Sequence, residues 1–175
     1  TGNHIIRVGH YCRTIAETLG LDREFCETLF HTSPLHDIGK IGIPDHILLK
    51  PARLTPEEWT VMKQHCAIGA AILRQDVLTF AHLFGQDGAR RAATPAQEEN
   101  PLLPMASAIA LSHHEWWDGT GYPYGLAGET IPLEARIVAV ADVYDALFSA
   151  RPYKPAYPES VVLATMRDQV GRHFD

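Results

Sequence analysis

Apolar residues recur at intervals of three and four along most of this chain, which is the spacing of one face of an α-helix. A first helix is predicted over about 3–19, and its apolar face comprises Ile5, Val8, Cys12, Ile15 and Leu19. Further helices are predicted to start near residues 22, 55, 66, 104 and 158, as at Thr55, an N-cap followed by Pro56. No segment alternates between apolar and polar residues over a convincing length. The chain is therefore predicted to be all-α.

Residues 132–148 form the longest and most apolar of these patterns, so the central buried helix is predicted there. Their uninterrupted apolar run, 137–141, is far shorter than the roughly 20 residues of a membrane-spanning helix, and no membrane segment is predicted. Asp142 follows that run directly. A buried carboxylate is costly unless it is protonated or paired with a cation or metal, so Asp142 is the carboxylate that most needs a partner.

Composition narrows the class of protein. At 175 residues the chain is long enough for one domain with a sizeable core. Its 15 basic and 21 acidic residues give a net charge of −6, which argues against nucleic acid as a partner. Three cysteines without a C-x-x-C pair indicate reduced thiols in the cytoplasm. Because the chain begins at Thr1 without a methionine or a signal-like segment, we expect it to be part of a longer multidomain protein with an upstream regulatory domain.

One interval departs from the helical pattern. Residues 86–100 are rich in Ala, Gln and Glu and lack apolar periodicity. We therefore expect a single domain over 1–175 that carries a loop insertion at about 76–104.

The residues next to the ten histidines are more informative than the number of histidines. His36-Asp37 is flanked by apolar residues, and His113-His114 follows a predicted apolar helix. Imidazole and carboxylate without thiolate suit Mn, Fe or a catalytic Zn. Adjacent helical residues point about 100° apart, so each pair can converge only at a helix end or with metals between its members. A lone histidine is usually structural, and no role is assigned to His10, His31, His46, His82 or His173.

Three long motifs occur in order along the chain. They are HDIGKIGIPD at 36–45, HHEWWDGTGYP at 113–123, and DVYDAL at 142–147 followed by RPYK at 151–154. These motifs resemble those of the HD-GYP family of cyclic di-GMP phosphodiesterases, and the resemblance extends over the whole chain. It implies an HD-type helical bundle with a metal centre between the helices.

The resemblance also implies roles for individual residues. Asp37 would bridge two metals, with the full ligand set being His4, His36, Asp37, His65, His113, His114 and Asp142. A metal-bridging hydroxide would attack a phosphodiester of cyclic di-GMP, giving linear pGpG and, in a further step, GMP. Lys40 would assist catalysis beside Asp37, and the substrate contacts would be Lys40, Tyr122, Pro123, Arg151 and Lys154. The loop of Gly121, Tyr122 and Pro123 would also be a contact for a protein partner.

Two features of the sequence depart from the family pattern, and the function has alternatives. Family members usually carry a glutamate for a third metal immediately before the Thr1-Gly2-Asn3-His4 run, so the centre would hold two or three divalent ions, Fe or Mn. The spacing from His65 to His113 is longer than is usual, which matches the insertion at about 76–104. The alternative functions are a catalytically idle module that binds cyclic di-GMP or a partner, and a general HD nucleotide phosphohydrolase.

Overall fold

The computed structural model describes residues 2–75, 102–149 and 156–175. Eight α-helices lie in these ranges: α1 (Gly2–Thr18), α2 (Arg23–Thr32), α3 (Asp45–Leu48), α4 (Pro56–Lys63), α5 (His65–Arg74), α6 (Leu102–Ser112), α7 (Leu133–Phe148) and α8 (Glu159–Arg167). Short 3₁₀ segments cover Ser33–Leu35, Ile38–Gly42 and Gly128–Thr130. Within the described ranges no residue belongs to a β-strand, and the all-α prediction is confirmed.

The predicted central helix is α7. Its buried face packs against α1, and α6 and α8 also contact it. The main hydrophobic core joins α1, α6 and α7 to α2 through residues such as Val8, Cys12, Leu29, Ile109 and Val138. Burial of this shared face stabilises the bundle and fixes how the four helices are placed relative to one another.

Capping residues account for two helix starts. The Asp22 side chain accepts a hydrogen bond from the Phe25 amide at 2.8 Å, which caps α2. Thr55 is the N-cap of α4, as the sequence predicted, and it forms a reciprocal capping box with Glu58. The short α3 and the 3₁₀ segments carry no sequence pattern strong enough to have been predicted.

A close backbone contact holds the second 3₁₀ segment against α5. A Cβ atom on Gly39 would overlap the His65 carbonyl oxygen and the Gly69 amide nitrogen. Only glycine permits this approach. The contact brings the chain that follows His36-Asp37 next to the start of α5, where His65 lies.

Part of the predicted insertion lies outside the described residues, which resume at 102. Residues 102–104, the end of the interval 76–104, belong to α6. Among the described helices, none combines the length and apolar character needed to cross a membrane.

Candidate metal centre

The structure brings the seven predicted ligands together in two groups. One group comprises His4, His36 and Asp142, and the other comprises Asp37, His65, His113 and His114. Within each group, one potential ligand atom per residue lies within 4.8 Å of the others. These residues come from α1, α5, α7 and the turns after the first 3₁₀ segment and α6, so the whole bundle is required to assemble them.

Asp37 lies between the two groups. Its Oδ2 atom is 3.5 Å from Nε2 of His36, in the first group. Its Oδ1 atom is 3.5 Å from Nε2 of His65 and 3.8 Å from Nε2 of His113, in the second. The two carboxylate oxygens therefore face different groups, which is the arrangement that a bridging ligand requires.

Three of the histidines are held in one tautomer by the backbone. In each, the Nδ1 atom lies within hydrogen-bond distance of a main-chain carbonyl oxygen. The pairs are His36 with Ser33 at 2.8 Å, His65 with Met62 at 2.8 Å, and His113 with Ile109 at 3.0 Å. A carbonyl can only accept, so each Nδ1 carries the proton and each Nε2 presents a lone pair to the centre. Such an outer hydrogen bond is what orients metal-binding histidines.

Several buried acceptors in the centre have no partner in the protein. They are Nε2 of His36, Nε2 of His113 and Oδ1 of Asp37. Each buried polar atom left unpaired costs about 1–3 kcal/mol. A divalent cation would supply the missing interaction for all three, so these residues fit a metal site.

Asp145, which is paired with Arg7, orients His4 through a hydrogen bond. The Asp145 carboxylate is buried and accepts from Arg7 at 2.6 and 3.0 Å, while its Oδ2 lies 2.7 Å from Nδ1 of His4. This contact leaves Nε2 of His4 directed at Asp142, 3.4 Å away. Burial alone would raise the pKa of Asp145, but hydrogen bonds from Arg7 and His4 outweigh it and lower that pKa.

The role of Asp145 was missed by sequence reasoning, which singled out Asp142 as the carboxylate in need of a partner. The Asp142 side chain is in fact 24% exposed, whereas Asp145 is the buried acid of α7. The i, i+3 spacing of the two aspartates places them on one face of the helix and is the signal that could have revealed the pair.

Replacing Asp145 by alanine is expected to weaken metal binding at the first group by about ten- to a hundredfold, because His4 loses its orienting partner. Calorimetric titration of the metal-free protein with Mn²⁺ measures this, and only one of two binding events should weaken. Asp145→Asn, which keeps one acceptor oxygen, serves as the milder control. Two binding events of wild-type affinity in Asp145→Ala would contradict the role of Asp145.

Burial keeps most of the second group neutral. Desolvation lowers the pKa of His114 to about 3 and lowers that of His65, while His113, fully enclosed beside other imidazoles, is shifted well below its usual value. His36 behaves differently: desolvation would lower its pKa, but the adjacent Asp37 raises it. Neutral imidazoles are the form that binds metal, so the second group is available as ligands at neutral pH.

These shifts predict how the metal-free protein responds to acid. As the pH falls below about 6.5, the unfolded chain takes up protons on His113 and His114 that the folded chain does not. The free energy of unfolding should therefore decrease as the pH falls from about 6.5 toward about 3, by at most about 1.4 kcal/mol per pH unit for each such histidine. Thermal unfolding between about pH 7.5 and 5 tests this.

His114→Asn should flatten that pH dependence, whereas His31→Asn, at an exposed position of α2, should leave it unchanged. Equal slopes for wild type and His114→Asn would contradict the neutral state of His114.

Lys40 lies at the edge of the centre. Its Nζ atom contacts Oδ2 of Asp37 at 2.5 Å, and its side chain is partly exposed. Burial would raise the pKa of Asp37, but the hydrogen bonds and charges of His36 and Lys40 outweigh burial and hold that pKa well below its usual range. The carboxylate is therefore ionised, as a metal ligand must be.

The 119–126 loop is built around Glu115 and Gly121. The buried Glu115 carboxylate accepts hydrogen bonds from the amides of Tyr124 at 2.7 Å and Leu126 at 3.0 Å. A Cβ atom on Gly121 would overlap the backbone of Glu115 and Trp116, so only glycine fits there. Sequence reasoning assigned no role to Glu115.

This loop brings the Tyr122 ring into contact with His114 of the second group. Its ring stacks on His114 with centroids 4.7 Å apart and an interplanar angle of 28°. Burial raises the pKa of the Tyr122 phenol, which stays protonated. Pro123 follows across a cis peptide bond. The loop motif thus lies directly beside the candidate ligands.

The remaining residues that the sequence analysis singled out fall into two sets. Arg151, Lys154 and His82 lie outside the described residues. His10, His31 and His46 are exposed, and His173 stacks on Trp116, so these four are surface or structural histidines as expected.

The fold and the two joined groups together define a helical domain of the HD type, with a cluster of histidines and aspartates that could hold metal ions. A family model described as "HD domain" matches residues 2–83 and 91–175, and the chain therefore belongs to the HD domain family. Phosphohydrolases of this family are metal-dependent, in keeping with the clustered histidines and aspartates. The predicted resemblance to HD-GYP proteins is confirmed.

Curated relatives align along the whole chain. A cyclic di-GMP phosphodiesterase of Vibrio cholerae is 45% identical over 100% of this chain and 34% of its own length. A cyclic di-GMP phosphodiesterase response regulator of Xanthomonas campestris is 45% identical over 100% of this chain and 40% of its own. A 3′3′-cGAMP-specific phosphodiesterase of V. cholerae is 38% identical over 100% of this chain and 29% of its own. The chain thus spans less than half the length of each.

Two solved structures share the fold. A cyclic GMP-AMP-specific phosphodiesterase of V. cholerae superposes with a TM-score of 0.63 at 19% identity, covering 98% of this chain and 41% of the other. An HDG"Y"P protein of Bdellovibrio bacteriovorus gives a TM-score of 0.63 at 23% identity, covering 97% and 47%.

Proposed function

We propose that this domain hydrolyses the second messenger cyclic di-GMP to linear pGpG. The observation that carries the proposal is the pair of ligand groups joined by Asp37, with buried acceptors that have no partner in the protein and that a cation would satisfy. The names of relatives at 45% identity support the choice of substrate. A catalytically idle receptor is disfavoured because the candidate ligand set is complete.

Two divalent cations, Fe or Mn, are proposed as cofactors. His4, His36 and Asp142 would hold one and His65, His113 and His114 the other, with Asp37 shared between them. When bound, such ions would acidify water and offset negative charge on phosphodiester oxygens. A third ion would require a glutamate of the kind that family members usually carry immediately before the Thr1-Gly2-Asn3-His4 run.

The protein's own residues would orient and protonate the substrate. Lys40, whose Nζ contacts Asp37 and whose side chain is partly exposed, would donate a hydrogen bond to a nonbridging oxygen and a proton to the leaving 3′ oxygen. Tyr122 and Pro123 would border the diester. Arg151 and Lys154 are proposed to bind the second phosphate, Arg151 through a bidentate contact.

Regulation and compartment are part of the same proposal. The loop of Gly121, Tyr122 and Pro123 is proposed as a contact for a protein partner, and Tyr124, which follows it, is 66% exposed. A cytoplasmic location is supported by three free, buried cysteines, Cys12, Cys26 and Cys66. An upstream regulatory domain stays a prediction.

Chromatography of reactions with Mn²⁺ or Fe²⁺ tests the proposal. Cyclic di-GMP should be converted mainly to pGpG. Faster cleavage of 3′3′-cGAMP would redirect the substrate assignment, and cleavage of mononucleotides alone would support a general phosphohydrolase. Tight binding of cyclic di-GMP without any product would instead support the idle receptor.

A further inference from the structure

Trp59 of α4 lies beside the candidate metal centre without a role in the functions described above. We propose that Trp59 and Lys63 form a nucleobase subsite, in which the Trp59 indole stacks on one guanine of the substrate. The inference rests on the proposed function, because it concerns how that substrate is held.

The helix that carries Trp59 is firmly anchored. Its capping box fixes the first turn, and Lys50 Nζ contacts both carboxylate oxygens of Glu58 at 2.6 and 2.8 Å. On its inner face, Val61 and Met62 pack against the hydrophobic cluster that contains Ile68. A rigid helix that presents an aromatic side chain binds a flat ligand at low entropic cost.

The indole is connected to the metal ligands through a single ring. Tyr122 stacks on His114 with a 4.7 Å centroid distance, and Trp59 meets Tyr122 edge to face at 5.9 Å and 79°. Despite this contact, 45% of Trp59 is exposed. An aromatic surface left open next to a candidate metal centre is typical of a site that binds a ligand.

Charge at this location suits a nucleotide. Trp59 and Lys63 are one turn apart and share a face of α4. Lys63 Nζ lies 6.0 Å from the centroid of Tyr122, on the helix face that meets the loop. Lys40 adds a second cation next to Asp37. A ligand that combines an anionic phosphate with a planar base matches the cations and the indole together.

Stacking of one base on an aromatic side chain contributes roughly tenfold to a hundredfold in affinity. If Trp59 only shielded Tyr122, its replacement would weaken the binding of ligands with and without a base equally. Comparison of two ligands that share a phosphate and a sugar therefore separates these roles.

The test is calorimetric titration of the Mn²⁺-loaded protein with guanosine 5′-monophosphate and with ribose 5-phosphate, which lacks the base. Trp59→Ala should weaken binding of the nucleotide by about ten- to a hundredfold and leave ribose 5-phosphate unchanged, whereas Trp59→Phe should retain most of the nucleotide affinity. Leu19→Ala is the matched control, since Leu19 is exposed and directly follows α1, about 22 Å along the helix axis from His4.

Equal losses for both ligands, loss of metal from Trp59→Ala, or unchanged nucleotide binding would each overturn the subsite. The proposed function fails separately, if wild-type protein leaves cyclic di-GMP intact. A wild-type protein that lacks turnover but whose preference for the nucleotide depends on Trp59 would retain the subsite and exclude the activity.

Discussion

Replacement of Asp37 by alanine is expected to lower metal content at both groups and to reduce turnover of cyclic di-GMP by about a thousandfold or more, equivalent to about 4 kcal/mol of transition-state stabilisation. The reason is geometric. The two oxygens of Asp37 face different groups, at 3.5 Å from His36 and 3.5 Å from His65, so a single substitution removes a ligand from each. Elemental analysis and product chromatography measure the two effects.

Asp168→Ala, at an exposed position after α8, should keep wild-type metal content and activity. Circular dichroism of Asp37→Ala should show an intact helical fold, because the Asp37 side chain is 30% exposed and is not part of the hydrophobic core. An Asp37→Ala protein that still binds two ions per chain would contradict the bridging role.

Gly39→Ala should destabilise the fold by about 3 kcal/mol, which lowers the unfolding temperature by about 6–12 °C in a domain of this size. Its new Cβ would overlap backbone atoms of His65 and Gly69, and backbone cannot rotate away as a side chain can. The 3₁₀ segment after Asp37 would be displaced from α5. Metal affinity of the second group should fall along with stability, because Asp37 and His65 would separate.

Gly9→Ala on α1 is the comparison for Gly39→Ala, since its Cβ would lie 3.3 Å from the nearest backbone oxygen and a small shift relieves that contact. Thermal unfolding and Mn²⁺ titration of both variants compare their unfolding temperatures and metal affinities. A Gly39→Ala protein with wild-type unfolding temperature and metal affinity would show that the close approach to α5 is dispensable.

Local patterns in the sequence were sufficient to predict most of the helices. Asp22 and Thr55 cap α2 and α4 as predicted, and the apolar run at 137–141 lies in the central helix. The candidate ligands were also recognisable, because His36-Asp37 and His113-His114 are adjacent pairs beside apolar segments. In the structure both pairs occupy turns between helical segments, which lets their members converge.

Contacts between distant parts of the chain could not be predicted in this way. Asp145 binds Arg7 and His4 across about 140 residues of sequence, so no local sequence pattern indicates that these side chains meet. The fit of Gly39 against α5 depends on how two segments pack, and the residues around a glycine in the sequence do not identify which distant backbone will contact it. The position of Trp59 beside Tyr122 likewise follows from tertiary packing alone.

Titration of metal into the metal-free protein, with cyclic di-GMP hydrolysis followed at each addition, tests the two-metal centre most directly. If both groups are required, the rate should lag behind the first equivalent of bound metal and approach its maximum as the second equivalent binds. A rate that rises in proportion to the first equivalent and reaches its maximum at one ion per chain would contradict the two-metal centre.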